Sequence, residues 1–267
     1  MHWLHRAPYS DFHPRFLAAL DGLSALPPPV EQYDALAANV PRAPDVELPR
    51  FVSESREALR QTGGYEGHVA KLRAVPSRPG HWHDFFNMSV WAHFPKIRWA
   101  LNALHVEAPG EKDPRNGRTP AQNFAATLDE AGMLVLSTSQ ELLEELRDLH
   151  FKRVFWERRA ELLATTRFWV VGHGMLEALL NPHHRLGARS LLLHWPDLNV
   201  AEPSDELRFA VDAAVAARID DYRTSRTSLD PIPVLCIPGY WDNDSAAFYD
   251  DRRNIPFEPG SRRHLQR

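Results

Sequence analysis

The sequence predicts an α+β fold: a mainly helical single domain with a small sheet and a proline-rich N-terminal arm. Three features predict it. Apolar residues recur at spacings of three and four in several stretches, the period of one helical face. Short apolar runs without that period, Phe168–Val171 and Leu191–His194 among them, read as strands. The 22 prolines among 267 residues divide the chain into short elements and ordered loops, because proline fixes φ and lacks a backbone donor.

The elements follow in order. Residues 1–50 carry two short helical patterns, Phe16–Leu23 and Glu31–Ala38, broken by PPPV and VPRAPDVELPR. The Pro27–Pro29 run is extended. The hydrophobics here are too many for a disordered tail, so an arm packed on the core is expected, followed by one α+β domain over 51–267. Residues 53–73 read as one or two helices, with Ser53 as N-cap and Gly63-Gly64 as the stop. In HWHDFFNMSVWAHFPKIRWALNALH, Phe85, Met88, Trp91, Ala92 and Pro95 share a helical face. Pro95 forces a kink or a new start, and Ile97, Leu101 and Leu104 continue a second helix.

Residues 106–120 read as a polar loop. FAATLDEAGMLVLST is expected to be a β-hairpin over 124–137 whose turn holds Asp129, Glu130 and Gly132; a helix over 120–130 is the alternative, since Ala, Leu and Glu favour it. Thr138 and Glu141 form a capping-box pattern opening a helix with Leu142, Leu143, Leu146 and Leu149 inward. A second amphipathic helix covers about 152–163. After Phe168–Val171, Gly172-His173-Gly174 makes a sharp turn into a helix that runs to Leu180 and stops at Asn181-Pro182. Ser204 opens a helix over 204–223, and Val234–Ile237 completes the expected sheet.

Composition excludes several function classes. Net charge is −4, which disfavours a phosphate-binding surface for nucleic acid. The one cysteine, Cys236, excludes disulfides within the chain and cysteine-based zinc sites, and fits a reducing compartment. The first residues lack the apolar stretch of a signal peptide, and no window reaches the roughly 18 apolar residues of a membrane helix. A cytoplasmic protein without membrane contact is expected. The GxGxxG, GxxxxGK[ST], GxSxG and CxxC patterns are absent.

The candidate chemistry concentrates in two motifs. In His81-Trp82-His83-Asp84, with Asn87 one turn on, a histidine beside a carboxylate suits a metal-ligand pair or an oriented general base; Asp84 as a helix cap is the alternative. In Gly172-His173-Gly174-Met175-Leu176-Glu177, the histidine opens a helix at a strand end and shares a face with Glu177. The alternative is that the glycines serve close packing and His173 bonds a buried carbonyl. Asp129 and Glu130 join these if their turn points at both histidines; the alternative is a pair of solvated turn formers. Lys96, Arg98 and Arg118 are candidates for binding phosphate or carboxylate, against a plain surface role. The 152–159 string of basic and aromatic residues reads first as the outer face of an amphipathic helix. Asn102 and His105 sit at a helix end, His183-His184 in a loop, Cys236 in an apolar strand, and Tyr249-Asp250-Asp251 in an aromatic, acidic tail.

The segments HWHDFFNMSVWAHFPKIRWALNALH, LDEAG, VVGHGMLEALLNP, PVLCIPGYW and FYDD, in this order, resemble the bacterial family called domain of unknown function 3025, from about Gly64 to Pro259. The family often has Arg-Asp before its Thr-x-x-Asp-Glu run, where this chain has Gln122-Asn123. The resemblance implies one domain and carries no activity, cofactor or catalytic assignment. Two functions are weighed from the residues. In one, His83, Asp84, His173 and Glu177 hold a divalent Zn, Mn or Fe that activates water for hydrolysis of a small molecule, Asp129 assists, and a metal-free histidine acid–base site is its variant. In the other, the chain is a non-catalytic module that binds a ligand or protein through an aromatic surface.

Overall fold

The computed structural model describes residues 2–107, 111–114, 116–200, 204–224 and 229–255. In chain order its elements are helices α1 (Pro14–Asp21) and α2 (Tyr33–Ala37), strand β1 (Arg50–Ser53), α3 (Arg56–Thr62), α4 (Tyr65–Leu72), β2 (Ala74–Ser77), α5 (Trp82–His93), α6 (Pro95–Glu107) and α7 (Pro120–Ala131). Then come β3 (Gly132–Ser137), α8 (Gln140–Arg147), α9 (Arg159–Thr165), β4 (Thr166–Val170), α10 (His173–Ala178), β5 (Gly187–His194), α11 (Asp205–Ala217), α12 (Ile219–Thr224), β6 (Asp230–Pro233) and α13 (Ala246–Asp250). With about 53% helix against 14% strand, the fold is α+β and mainly helical.

The larger sheet has the order β4-β3-β5-β6. Strand β3 runs antiparallel to β4 and parallel to β5, and β5 runs antiparallel to β6. Every residue of β3 is buried, and its side chains alternate between two cores, since successive residues of a strand point to opposite faces. Met133 and Val135 join Phe168 and Val170 in one core; Leu134 and Leu136 join Trp169, Leu191 and Leu193 in the other. Helices α5 and α10 and the N-terminal residues Leu4, Tyr9, Phe16 and Tyr33 fill the first. Helices α6, α7 and α11 fill the second. The sheet is thus the middle layer. A separate pair, β1 and β2, is parallel.

Helix α5 is buried along ten of its twelve residues, including Phe85, Phe86, Met88 and Trp91. A helix apolar on most faces must lie inside, and each such aromatic contributes roughly 1.5–3 kcal/mol by leaving water. Phe85, Phe86 and Trp91 of this helix are therefore core residues and offer no aromatic surface for binding a ligand or protein. Trp91 packs edge-on to Trp99 at 4.9 Å, and Trp82 to Trp3 at 5.3 Å. Trp241 is the one exposed tryptophan among the described residues, at 41%.

Several expectations need correction. Residues 120–131 are a helix, with Thr119 and Gln122 as a capping box; β3 pairs with β4 and β5 instead of closing a 124–137 hairpin. The amphipathic face of Phe124, Ala125 and Leu128 finds a helical core, and tertiary packing decides between the two local preferences. Ser55 caps α3 instead of Ser53, and Ser139 caps α8 instead of Thr138. The 152–163 helix contains a π-helical turn at Arg153–Glu157 before α9. Val234–Cys236 is a 3-10 turn, and the strand lies just before it as β6. The 204–223 helix divides at Arg218. The 106–120 loop lies partly outside the described residues.

Candidate functional site

Three helix ends converge beside the sheet. His83 lies in the first turn of α5, Asp129 and Glu130 in the last turn of α7, and His173 opens α10 directly after β4. Glycines make the convergence possible. A Cβ on Gly132 would lie 2.0 Å from the Leu128 carbonyl oxygen, and one on Gly172 would lie 2.2 Å from the Gly132 nitrogen. The Val171 and Gly172 amides donate to the Gly132 carbonyl at 3.0 and 2.9 Å. A Cβ on Gly174 would stand 2.1 Å from Glu130 Oε1, so this glycine leaves the room in which the Glu130 carboxylate sits.

The two histidines meet edge to face, with Nε2 atoms 2.9 Å apart. Each has its other nitrogen on a carboxylate: His173 Nδ1 is 3.2 Å from Asp129 Oδ1, and His83 Nδ1 is 3.1 Å from Glu177 Oε2. A carboxylate only accepts, so each Nδ1 carries the proton. If both rings are neutral, the two Nε2 lone pairs face one another, an arrangement that a shared proton or a bound cation would relieve. Glu130 Oε2 lies 3.6 Å from His173 Nε2. His83, Glu130 and His173 offer ligand atoms all within 4.8 Å of one another. Burial first, and then the nearby Arg98 charge, push the His173 imidazole down to about 4, so it is a neutral donor at pH 7.

The expected residues divide by role. His83 and His173 share the cluster. Glu177 and Asp129 stand behind them on the far nitrogens, the usual place of carboxylates that orient ligating histidines. Asp84 lines the same cleft but is engaged by Arg78: it accepts from the Arg78 amide at 2.6 Å and from Arg78 Nε and Nη2 at 2.9 Å. Burial raises its carboxyl, but the Arg78 bonds outweigh this and hold it below the usual range. Glu130, rather than Asp84 or Glu177, is the carboxylate grouped with the two Nε2 atoms. It stands at the end of α7 beside Asp129, in the acidic pair that the sequence marks as a candidate if it faces the histidines. Gly174 leaves the space in which its carboxylate sits beside the histidines.

A second layer surrounds the cluster. Arg98 from α6 is 4% exposed, forms an ion pair with Asp129, and donates to Asn87 Oδ1 at 2.9 Å. Asn87 donates in turn to the Tyr65 hydroxyl at 2.6 Å. Asn102 donates to Glu66 Oε2 at 2.6 Å, and burial raises the Glu66 carboxyl above its usual range. Tyr65, Glu66 and Asn87, together with Arg78, His105 and Arg118, line an open cleft of about 690 Å³ in front of the cluster. No motif signals Tyr65 or Glu66; they arrive from α4 through the fold.

The remaining candidates lie elsewhere. Lys96 pairs with Asp45, Lys152 with Asp250, Arg153 with Glu145, and Arg158 with Glu141, Glu145 and Glu161, so the basic string near 152–159 is matched by acids. Cys236 is buried, which pushes its thiol up to about 12. His184 bonds Asn254 at 2.6 Å. Tyr249 is buried and donates to the Cys236 carbonyl at 2.9 Å. A separate cavity of about 790 Å³ touches His13, His93, Arg167 and Arg208; its arginines pair with Asp11 and Asp205.

The chain belongs to the family described as protein of unknown function (DUF3025), whose model matches residues 49–259. The matched span begins just before β1 and contains every residue of the cluster and its cleft. No curated protein and no solved structure matched the chain. No described helix is long and apolar enough to cross a membrane.

Proposed function

Within this family, we propose that His83, His173 and Glu130 bind a divalent cation and that the site performs metal-assisted hydrolysis. The observation that carries the reading is the facing pair of Nε2 atoms, each with its Nδ1–H committed to a carboxylate. A metal ion resolves that confrontation, and a nearby third carboxylate completes the set. Two imidazoles and one carboxylate suit Zn, Mn or Fe. Three protein ligands leave a position open for water, as in catalytic rather than structural sites. Bound there, the metal would lower the pKa of that water. Asp129 and Glu177 orient the two imidazoles, and the polar cleft receives a small-molecule substrate.

A metal-free variant draws on the same 2.9 Å contact, which also suits a proton shared between the imidazoles. His83 as imidazolium would then donate to neutral His173, making the pair a general acid–base unit. The two readings separate in a hydrolysis screen. Protein stripped with chelator and reloaded with Zn, Mn or Fe is assayed on chromogenic carboxyl-ester, amide and phosphate-ester probes. Turnover that requires metal and vanishes in Glu130→Ala supports the metal centre. Turnover indifferent to chelator but lost in His173→Ala supports the metal-free pair.

A further inference from the structure

Three arginines stand in or just behind the cleft in front of the cluster, and their charges are not equivalent. Arg78 is bound through its side chain by both oxygens of Asp84. Arg98 is buried against Asp129 and Asn87. Arg118 is different: it lies on the cleft wall, it is exposed, and its guanidinium makes no ion pair or hydrogen bond among the described residues. Its backbone, in contrast, is fixed. The Arg118 amide donates to Asn116 Oδ1 at 3.0 Å, and its carbonyl accepts from the Asp113 amide at 2.8 Å. The next residue, Thr119, caps α7, and Gln122 Nε2 donates to the His105 carbonyl at 2.7 Å, tying this turn to the end of α6. The geometry is a guanidinium without a direct ion pair, within electrostatic reach of Glu66, on an anchored turn in a polar wall shared with three imidazoles. Its neighbour His105 is pushed down to about 4 by burial and then by the Arg118 and Arg98 charges, so it stands neutral and does not compete for an anion.

We propose that the site takes an anionic substrate, a small molecule whose phosphate or carboxylate group is held by Arg118 while the bond to be cleaved lies at the His83–His173–Glu130 cluster. A guanidinium presents a planar fork of donors that fits an oxyanion two-point. Elsewhere on the wall, Tyr65 and Asn87 are bonded to each other and Glu66 to Asn102, and none of them supplies a second cation. One anionic group per substrate is the expected limit. This rests on the metal-centre reading for the place of cleavage; the anion subsite itself is measured separately.

The test is titration of inorganic phosphate and of acetate into the full-length protein, each in metal-loaded and metal-free form, with Arg118→Ala and Arg118→Lys beside the parent. Metal content is measured on every sample. Because Arg118 is exposed, both variants should fold, which circular dichroism checks. The expected result is saturable binding by the parent, weakened about tenfold or more in Arg118→Ala, with Arg118→Lys between them and metal content unchanged. Phosphate tighter than acetate identifies a phosphate-bearing substrate; acetate equal or tighter identifies a carboxylate. Neither anion binding the parent, or Arg118→Ala binding within twofold of it, overturns the inference. Arg118-dependent anion binding in a protein that takes up no metal would overturn the metal centre and leave the anion subsite standing.

Discussion

His83 and His173 approach within 2.9 Å through Nε2, although 90 residues separate them in the chain. Each is held in that pose from behind, His83 by Glu177 and His173 by Asp129. The pairing of a ligand-type nitrogen in front with a carboxylate behind is what gives the cluster a direction, and it leads to separate expectations for the front and the back.

Glu177 stands behind His83 and is not needed to close the core, with its side chain 43% exposed. In Glu177→Ala, His83 loses its orienting acceptor. Metal affinity should fall roughly 10–100-fold, the usual cost of losing such a partner, while the thermal midpoint of metal-free protein stays at the parent value. Competition with a chromophoric chelator reads the affinity. Unchanged affinity would remove Glu177 from the site.

Gly174 predicts a steric effect on one ligand. The Cβ of Gly174→Ala would meet Glu130 Oε1 at 2.1 Å, and the side chain of Glu130 can swing away at little cost to the fold. The variant should therefore fold like the parent and bind metal more weakly. Gly172→Ala is the contrast: its Cβ meets backbone at the Gly132 nitrogen, so it should lower the thermal midpoint outright, as overpacking against an unyielding neighbour does. Equal behaviour of the two variants would contradict this account.

Asp129 and Arg98 form a buried ion pair behind His173. Removing one partner leaves the other charge uncompensated, which costs about 3–5 kcal/mol in such settings. Asp129→Asn and Arg98→Met should each destabilise strongly, and the double variant should be more stable than the sum of the two losses predicts. Urea unfolding measures all four corners of the cycle; strict additivity would mean that the pair is not coupled.

His93 makes the acid sensitivity of the fold testable away from the cluster. It is buried, donates Nδ1–H to the Ser89 carbonyl at 2.7 Å, and accepts from the His13 amide at 2.9 Å. Burial, then the nearby Arg208 and His13 despite help from Ser89 and Asp205, pushes it down to about 3. In the unfolded chain an imidazole titrates near about 6.5. Between these values the unfolded state binds the extra proton, so this contribution is full above about pH 6.5 and is lost as pH falls toward about 3. In His93→Asn the slope of unfolding free energy against pH over that window should drop by up to about 1.4 kcal/mol per pH unit. An unchanged slope would show that His93 is not held neutral.

Sequence periodicity carries the fold where a helix has one apolar stripe, as in α8 and α11, and where proline marks a boundary, as at Pro95. It misleads at 124–131, where Ala-Ala-Thr-Leu-Asp-Glu suits either a strand or a helix and only the core under Phe124 and Leu128 decides. The site is legible as far as its histidines, because His83 and His173 sit in motifs with nearby carboxylates. Sorting those carboxylates is beyond the sequence. Asp84 looks as good a ligand as any until Arg78 is seen to occupy it, and of the pair Asp129-Glu130 the sequence does not say which faces the histidines' front and which stands behind, since that depends on the space Gly174 leaves between α7 and α10. Tyr65 and Glu66 reach the cleft from an element whose sequence carries no chemical motif.

The most direct test of the central claim is elemental analysis of the tag-free protein, purified without chelator and supplied with Zn, Mn or Fe, alongside His173→Ala treated the same way. The metal-centre account predicts about one equivalent of a divalent metal in the parent and none in the variant. No metal in either, or the same content in both, would contradict it.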